Sequence, residues 1–244
     1  MHYQPGAYRN WVKNKDLISF RIIQGETDCL ISAGVDLENK ARRIIDKYRR
    51  MLKKYIDSHP QFLTTLEPLE VEKEAPRIIR LMSEASHAAK VGPMASVAGA
   101  IAQFTGEELA PYSHEIIVEN GGDIYINSKH NRLIGIYAGD SPLSGKIGFE
   151  LQAKDFPLGI GTSSGTVGHS LSFGKADAVI ILAKSAILAD AAATSTANII
   201  FTAGDIAAGI EHAKNIRGTE GIIIIKDEKI GIYGKFQIKR IETA

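Results

Sequence analysis

The order in which the hydrophobic period changes along the chain constrains its fold more than any single motif. Leu17 to Gln24 and Asp28 to Ala33 are rich in aliphatic residues and flank Gly25-Glu26-Thr27, which predicts two strands joined by a hairpin turn. The period then lengthens. Ala41, Ile44, Ile45, Tyr48, Met51, Leu52, Tyr55 and Ile56 recur at helical spacing and leave one apolar stripe, with Pro60 just beyond the end. The acidic, proline-bearing stretch 60–74 reads as a connection. Pro76 opens a second helix carrying Ile78 to Ala89, and after Gly92-Pro93 the small residues of Met94 to Phe104 predict a third. From Ser113 the pattern returns to strands at His114 to Glu119, Asp123 to Asn127, Arg132 to Ala138 and Lys146 to Ala153. Ala176 to Leu182 reads as a buried strand, followed by helices at Ser185 to Ile200 and Asp205 to Lys214. Gly221 to Lys226 and Lys229 to Tyr233 predict a closing hairpin over Asp227-Glu228. Strands, then helices, then a mixture predict an α+β fold with a largely antiparallel sheet. No repeat, low-complexity tract or flexible linker divides the chain, so residues 1–244 read as a single domain.

Composition narrows the partners. The chain is 44% hydrophobic and 23% charged, the proportions of a globular protein. Its 29 basic and 28 acidic side chains give no global field that would favour nucleic acid or an anionic membrane. The first long helix does carry a basic face, with Lys40, Arg42, Arg43, Lys47, Arg49, Arg50, Lys53 and Lys54 against Asp46. That face allows either nucleic-acid contact or a solvated surface balanced elsewhere, and near-neutrality favours the second. Cys29 is the only cysteine, which excludes a disulfide framework or cysteine-based metal cluster within one chain. Neither a signal-like start nor an uninterrupted apolar run of membrane-spanning length is present, so a soluble, cytoplasmic protein without a membrane partner is expected. A homo-oligomer and a single chain are both compatible with these features.

Glycine is in excess, at 23 residues, where average usage would give roughly 17. Much of the surplus falls in segments with unusual local chemistry. Gly92-Pro-Met-Ala-Ser-Val-Ala-Gly-Ala-Ile-Ala102 starts a helix with small side chains. Such an end either admits an anion to its free N–H groups or serves close helix packing. Glu119-Asn-Gly-Gly-Asp123 is hairpin-turn chemistry with more acid than a turn needs. Residues 159–174 read as a glycine- and hydroxyl-rich loop around His169, suited to an anion-binding nest. That loop lacks the Lys-Ser/Thr ending of a Walker loop and the spacing of a dinucleotide fingerprint. Finally, Asp190, Thr194 and Asn198 lie at i, i+4 and i+8 on a helix otherwise made mostly of Ala, Ile and Leu. Hard oxygens one turn apart suit Mg²⁺, which completes its shell with water and phosphate oxygens. The alternative is a solvent-facing stripe, against which stands the lack of Lys and Glu on that helix.

Taken in order, these segments resemble the ApbE family of FAD-dependent flavin transferases. Ala95-Ser-Val-Ala-Gly-Ala-Ile-Ala102 is similar to that family's G-G-I-A-K-G-Y-A stretch, and Asn120-Gly-Gly-Asp-Ile124 to its N-x-G-G-D-I turn. Gly161-Thr-Ser-Ser-Gly165 resembles its A-T-S-G loop, and Ala189-Asp-Ala-Ala-Ala-Thr194 its A-D-A-x-x-T helix. The resemblance implies an ApbE-like domain that binds FAD, with Ser96, Ala98, Asn120, Gly121, Gly122, Asp123, Thr162, Ser163, Ser164 and Gly165 around the cofactor. It also implies Mg²⁺ held by Asp190, Thr194 and the carbonyl of Ala98, with Asp190 and His169 at the reacting centre. FMN would then pass to a Thr or Ser of an acceptor protein and AMP would leave. Two departures stand out. Gly99 occupies the family's lysine position, removing a cation, and the loop after Thr166 is short. The chain is therefore most similar to the shorter cytoplasmic ApbE-like proteins of archaea and anaerobic bacteria, some of which are associated with sulfur assimilation toward homocysteine. On this reading flavin or nucleotide binding is expected more readily than transfer, and a non-catalytic accessory protein is the alternative.

Overall fold

The computed structural model describes residues 16–165 and 173–241. The chain begins with strands β1 (Ile18–Gln24) and β2 (Thr27–Ala33), then helices α1 (Glu38–Ser58), α2 (Gln61–Thr64) and α3 (Arg77–Ala89). A 3-10 turn at Pro93–Ser96 leads into α4 (Val97–Leu109). Strands β3 (Ile116–Asn120), β4 (Asp123–Asn127), β5 (Arg132–Gly135), β6 (Ile147–Leu151), β7 (Leu158–Ser163) and β8 (Ala178–Ala183) follow. The chain ends with α5 (Ala186–Ala197), α6 (Ile206–Lys214), β9 (Thr219–Lys226), β10 (Lys229–Tyr233) and β11 (Gln237–Arg240). The expected α+β architecture with antiparallel pairing is what forms.

Eight strands make the main sheet, in the order β1-β2-β3-β4-β7-β8-β9-β10, with antiparallel neighbours throughout. β5 and β6 leave it and join β11 in a three-stranded sheet. The two faces of the main sheet bury different cores. Val118, Val179, Ile181, Ile222 and Ile224 share one cluster with helix residues such as Ile45, Ile79, Met82 and Ile101. The alternating positions Ile126, Ile160, Ile180, Ile223 and Ile225 pack with Phe149 and Leu151 of the small sheet. Helices therefore cover one face and the small sheet the other. This is why β8 and β9 read as unbroken apolar runs although they are antiparallel: alternation is erased when both faces are buried.

Three local expectations are corrected. Residues 159–163 do not belong to a loop. They are strand β7, in the interior of the main sheet between β4 and β8. Glycines are poor strand formers, so periodicity gave no strand signal, and the segment is held by its neighbours on both sides. The third long helix runs on to Leu109, through Gly106, a glycine required there because the Tyr125 ring would lie 2.0 Å from an added Cβ. β11 was not expected at all, since Gln237–Arg240 has no apolar alternation strong enough to mark a strand.

Candidate active site at the crossing of α4 and α5

The site is built where two helices cross over the end of the sheet, and glycines allow the crossing. Gly159 and Gly161 of β7 face α5. A Cβ on Gly159 would sit 2.2 Å from the Ala186 nitrogen, and one on Gly161 would sit 2.1 Å from the Ala189 carbonyl. Gly99 does the same between the helices, its added Cβ falling 2.3 Å from the Ala186 oxygen and 2.9 Å from the Asp190 Cβ. With no side chains in the way, backbone meets backbone, and α5 is drawn down onto both α4 and β7. Asp190 is thereby carried into the interior.

α4 begins without a cap of its own. Ser96 precedes it, but the Ser96 hydroxyl donates to the Pro93 carbonyl at 2.8 Å. The Asp190 carboxylate fills the role from the neighbouring helix, accepting from the Gly99 N–H at 2.8 Å. An anion at that end also meets the positive end of the helix dipole. Beside it the Asn120-Gly-Gly-Asp123 hairpin turns as expected, with positive φ at Gly121 (66°) and Gly122 (108°). Glu119 accepts from the Gly122 N–H at 2.7 Å, and Asn120 Nδ2 donates to the Ala98 carbonyl at 3.1 Å. Asp123 accepts from the Thr162 N–H of β7 at 2.9 Å. The hairpin is thus tied to both α4 and β7.

Asp123 and Asp190 are only 5% and 7% exposed, which rules out a solvent-facing stripe at Asp190. Among the described residues neither carboxylate pairs with Lys, Arg or His. Burial pushes the Asp190 carboxyl up to about 7, with the N–H groups of Gly99 and Ala98 pulling the other way. Burial also raises Asp123, and the nearby Asp190 charge adds to it. Two acids kept from water without a cation disfavour double ionisation. Ser163 adds an unsatisfied group: it is buried, shares its face with Gly159 and Gly161 by strand parity, and its Oγ has no hydrogen-bond partner.

Of the residues expected from sequence, Ala98, Asn120, Gly121, Gly122, Asp123, Thr162, Ser163 and Asp190 come together here. Thr194 follows one turn after Asp190 on α5 and is half-buried. Ser164 and Gly165 lie just past β7 and are tied to the Ala176 carbonyl at 3.3 and 2.9 Å. Asn198 belongs to a different task, since its Oδ1 accepts from the Phe173 N–H at 3.0 Å and anchors the returning chain. His169 lies outside the described residues. Gln103 was not anticipated. Its side chain joins α4 to the start of α5, and its only sequence signal is being the single amide in a helix half made of small and apolar residues.

The donors available for a cation are hard oxygens. Among the described residues no three His, Cys, Asp or Glu side chains gather as a metal cluster, so a metal here would rely on one carboxylate, a hydroxyl and a carbonyl. That set fits Mg²⁺, and two buried acids with no cation partner among the described residues would favour its binding. A separate concavity of about 460 Å³, between Lys40, Arg43 and Lys47 of α1 and Glu108 and Tyr112, lies at the other end of α4. Much of the basic face beside it is already paired, as Arg42–Glu38, Arg50–Asp46, Lys47–Glu108 and Arg49–Glu26. Cys29 is fully buried in the core.

The mixed helix and antiparallel-sheet fold is that of solved ApbE proteins. The solved structure of the flavin transferase ApbE from Vibrio cholerae matches with a TM-score of 0.55 at 13% identity, covering 89% of this chain and 96% of that one. The ApbE protein of Thermotoga maritima gives 0.56 at 15% identity, covering 93% and 97%. A family model described as "AbpE bacteria" matches residues 9–221, and the chain belongs to that family. Its relatives include archaeal UPF0280 proteins. That of Methanocaldococcus jannaschii is 45% identical over 223 residues, covering 88% of this chain and 90% of its own. That of Methanopyrus kandleri is 38% identical over 228 residues, covering 90% and 91%. Among the described residues no helix is long and apolar enough to cross a membrane.

Proposed function

We propose that this chain is a flavin- or nucleotide-binding protein whose diphosphate site, with Mg²⁺, lies at the start of α4. The observation that carries the reading is the pair of buried, cation-free carboxylates Asp123 and Asp190 beside N–H groups of that helix. Asp190, Thr194 and the Ala98 carbonyl would hold the metal. Asn120 supports this by fixing the Ala98 carbonyl at 3.1 Å, since a carbonyl oxygen has a second lone pair to offer. When bound, the cation would neutralise the diphosphate and polarise it toward a hydroxyl nucleophile. Ser163 would offer its hydroxyl to the ligand, whereas Ser96 gives its own to the Pro93 carbonyl, and the Thr162 N–H would hold Asp123 in register. FAD is the ligand that family membership and the likeness to flavin transferases favour, in a cytoplasmic setting. Transfer of FMN to a Thr or Ser of an acceptor protein, with release of AMP, is the activity in view.

Gly99 favours a second reading. A lysine there would collide with α5, so position 99 brings no cation to pair with the leaving phosphate. A protein that binds the nucleotide without turning it over would follow from that; a link to sulfur assimilation would come only from the resemblance to similar proteins.

The test is direct. FAD added with Mg²⁺ is expected to quench flavin fluorescence and raise Tm, and Asp190→Asn is expected to abolish the Mg²⁺-dependent part. No binding by the wild type, or undiminished metal-dependent binding by the variant, ends the diphosphate-site reading. Covalent flavin on a Thr/Ser acceptor peptide together with AMP release separates transfer from binding alone.

A further inference from the structure

Helices α4 and α5 cap each other. The first two N–H groups of α5, Ala186 and Ile187, point at Gln103 Oε1 of α4, at 2.9 and 3.4 Å, and the Ser185 hydroxyl donates to the same oxygen at 3.0 Å. Gln103 Nε2 donates to Glu107 at 2.8 Å, which fixes the direction of the amide. In return Asp190 of α5 receives the Gly99 N–H of α4. Gly99 and Gln103 are one turn apart on α4, and Ala186 and Asp190 are one turn apart on α5, so each pair shares a face. The two contacts, Gly99 with Asp190 and Gln103 with Ala186, are therefore neighbouring rungs of a single crossing. Between them lies the bare Gly99 Cα against the Ala186 carbonyl.

We infer that Gln103 is the positioning residue for Asp190. It touches neither the ligand nor the carboxylate. It pins the first turn of α5 to α4, and the carboxylate one turn later is set by that pin. A helix terminus left without its acceptor exposes buried N–H groups, which costs more than the bond itself is worth. α5 then relaxes away from α4 at the end that carries Asp190. A metal site tolerates about half an ångström of such looseness, so the loss would be felt there before it is felt in the fold. The inference rests on reading Asp190 as a metal ligand, and deepens it.

Two measurements on the full-length protein separate the ideas. Hydrogen exchange of the Gly99 amide, followed by NMR, reports the Asp190 contact without any cation. Isothermal titration with Mg²⁺ reports the site. Gln103→Leu keeps the bulk but removes the acceptor. It is expected to speed Gly99 exchange at least tenfold and to weaken Mg²⁺ binding at least tenfold. Gln103→Glu combined with Glu107→Gln keeps an acceptor for Ala186 and Ile187 and returns the amide donor from the other side, and is expected to restore both to within about threefold of wild type. Phe149→Leu, in the core under the small sheet, serves as a destabilised control that moves neither. Should Gln103→Leu fail to fold, Gln103→Asn withdraws the acceptor by one methylene and is expected to act in the same direction. Wild-type values in the Leu or Asn variant, or equal changes in Phe149→Leu, overturn the positioning role. If wild type binds no Mg²⁺, the diphosphate-site reading falls alone, and Gly99 exchange still decides whether Gln103 places Asp190.

Discussion

Placing at position 99 the lysine that the resemblance to ApbE flavin transferases implies is the sharpest test of how this site is built. By helix propensity alone Gly99→Lys should help, because Gly in a helix interior is about 0.5–1 kcal/mol worse than an ordinary helix former. The crossing reverses the sign. The new Cβ would lie 2.3 Å from the Ala186 oxygen and 2.8 Å from its carbon, where ordinary contact is 3.4–4 Å. Both neighbours are backbone, so no rotamer change relieves the overlap, and α5 must move by roughly an ångström. Overpacking of this kind costs about 1–3 kcal/mol. For a chain of this length that corresponds to a Tm lower by about 2–4 °C for each kcal/mol. Because Asp190 rides on α5, the substitution should also weaken Mg²⁺-dependent FAD binding and yield no covalent flavin. Thermal and urea unfolding measure the first effect, and flavin fluorescence with an acceptor-peptide assay the second. Gly204→Ala is the matched control, since its Cβ would meet only the Thr202 hydroxyl at 3.5 Å; it is expected to be neutral or stabilising by up to about 1 kcal/mol. A Gly99→Lys protein that melts at or above wild type, or that gains transfer, would refute the claim that this glycine is there for the helix crossing.

Other outcomes follow from the charges and turns. The Asp190 carboxyl is raised to about 7 by burial, so the folded state holds a proton that the unfolded chain has released. Stability without metal should therefore fall as pH rises from about 4 to about 7, and Asp190→Asn should flatten that fall in urea melts at stepped pH; an unchanged slope would count against the burial argument. Glu115 behaves oppositely. Burial pushes it up, but hydrogen bonds from Ser128, Arg132 and the Lys129 N–H outweigh this and hold it below the usual carboxylate range. Its contribution is complete above the ordinary glutamate range and lost as pH falls through the depressed folded value, so Glu115→Gln should make acid unfolding less steep. Arg132, 5% exposed and paired with Glu115 at 2.6 Å and Asp16 at 2.9 Å, should cost about 1.5–3 kcal/mol when replaced by Leu, because the part-buried Glu115 loses its guanidinium while keeping Ser128, the Lys129 N–H and His130. A loss below 1 kcal/mol by chemical denaturation would show the network to be dispensable. Gly122→Ala forces φ 108° on an alanine and should cost about 1–2 kcal/mol while loosening Asn120 and Asp123, which weakened FAD binding would register.

What could be read from sequence, and what could not, divides along one physical line. Elements whose apolar period is clean were legible: the stripe from Ala41 to Ile56 became α1, and Asp123–Asn127 became β4 with the bounds expected. The hairpin at Gly121-Gly122 followed from turn chemistry, and the proximity of Asp190 to the Asn120–Asp123 turn followed from resemblance rather than from period. Failure came where glycine carries the information. Gly159 and Gly161 have no side chain to give a period, so a strand in the interior of the sheet read as a loop. Their use is visible only in the partner, the backbone of α5 at Ala186 and Ala189. The alternatives for the Gly92 to Ala102 segment, close packing or an anion-accepting helix end, were posed as rivals. In the fold they are one arrangement: Gly99 brings α5 within contact, and that contact delivers a carboxylate to the N–H groups of α4. The surplus glycine is therefore better understood as what lets two helices and a strand approach closely than as ligand-cradling loop. On the proposed reading, binding at this site would be a consequence of that approach, and that is why a residue as remote from the ligand as Gln103 would control it.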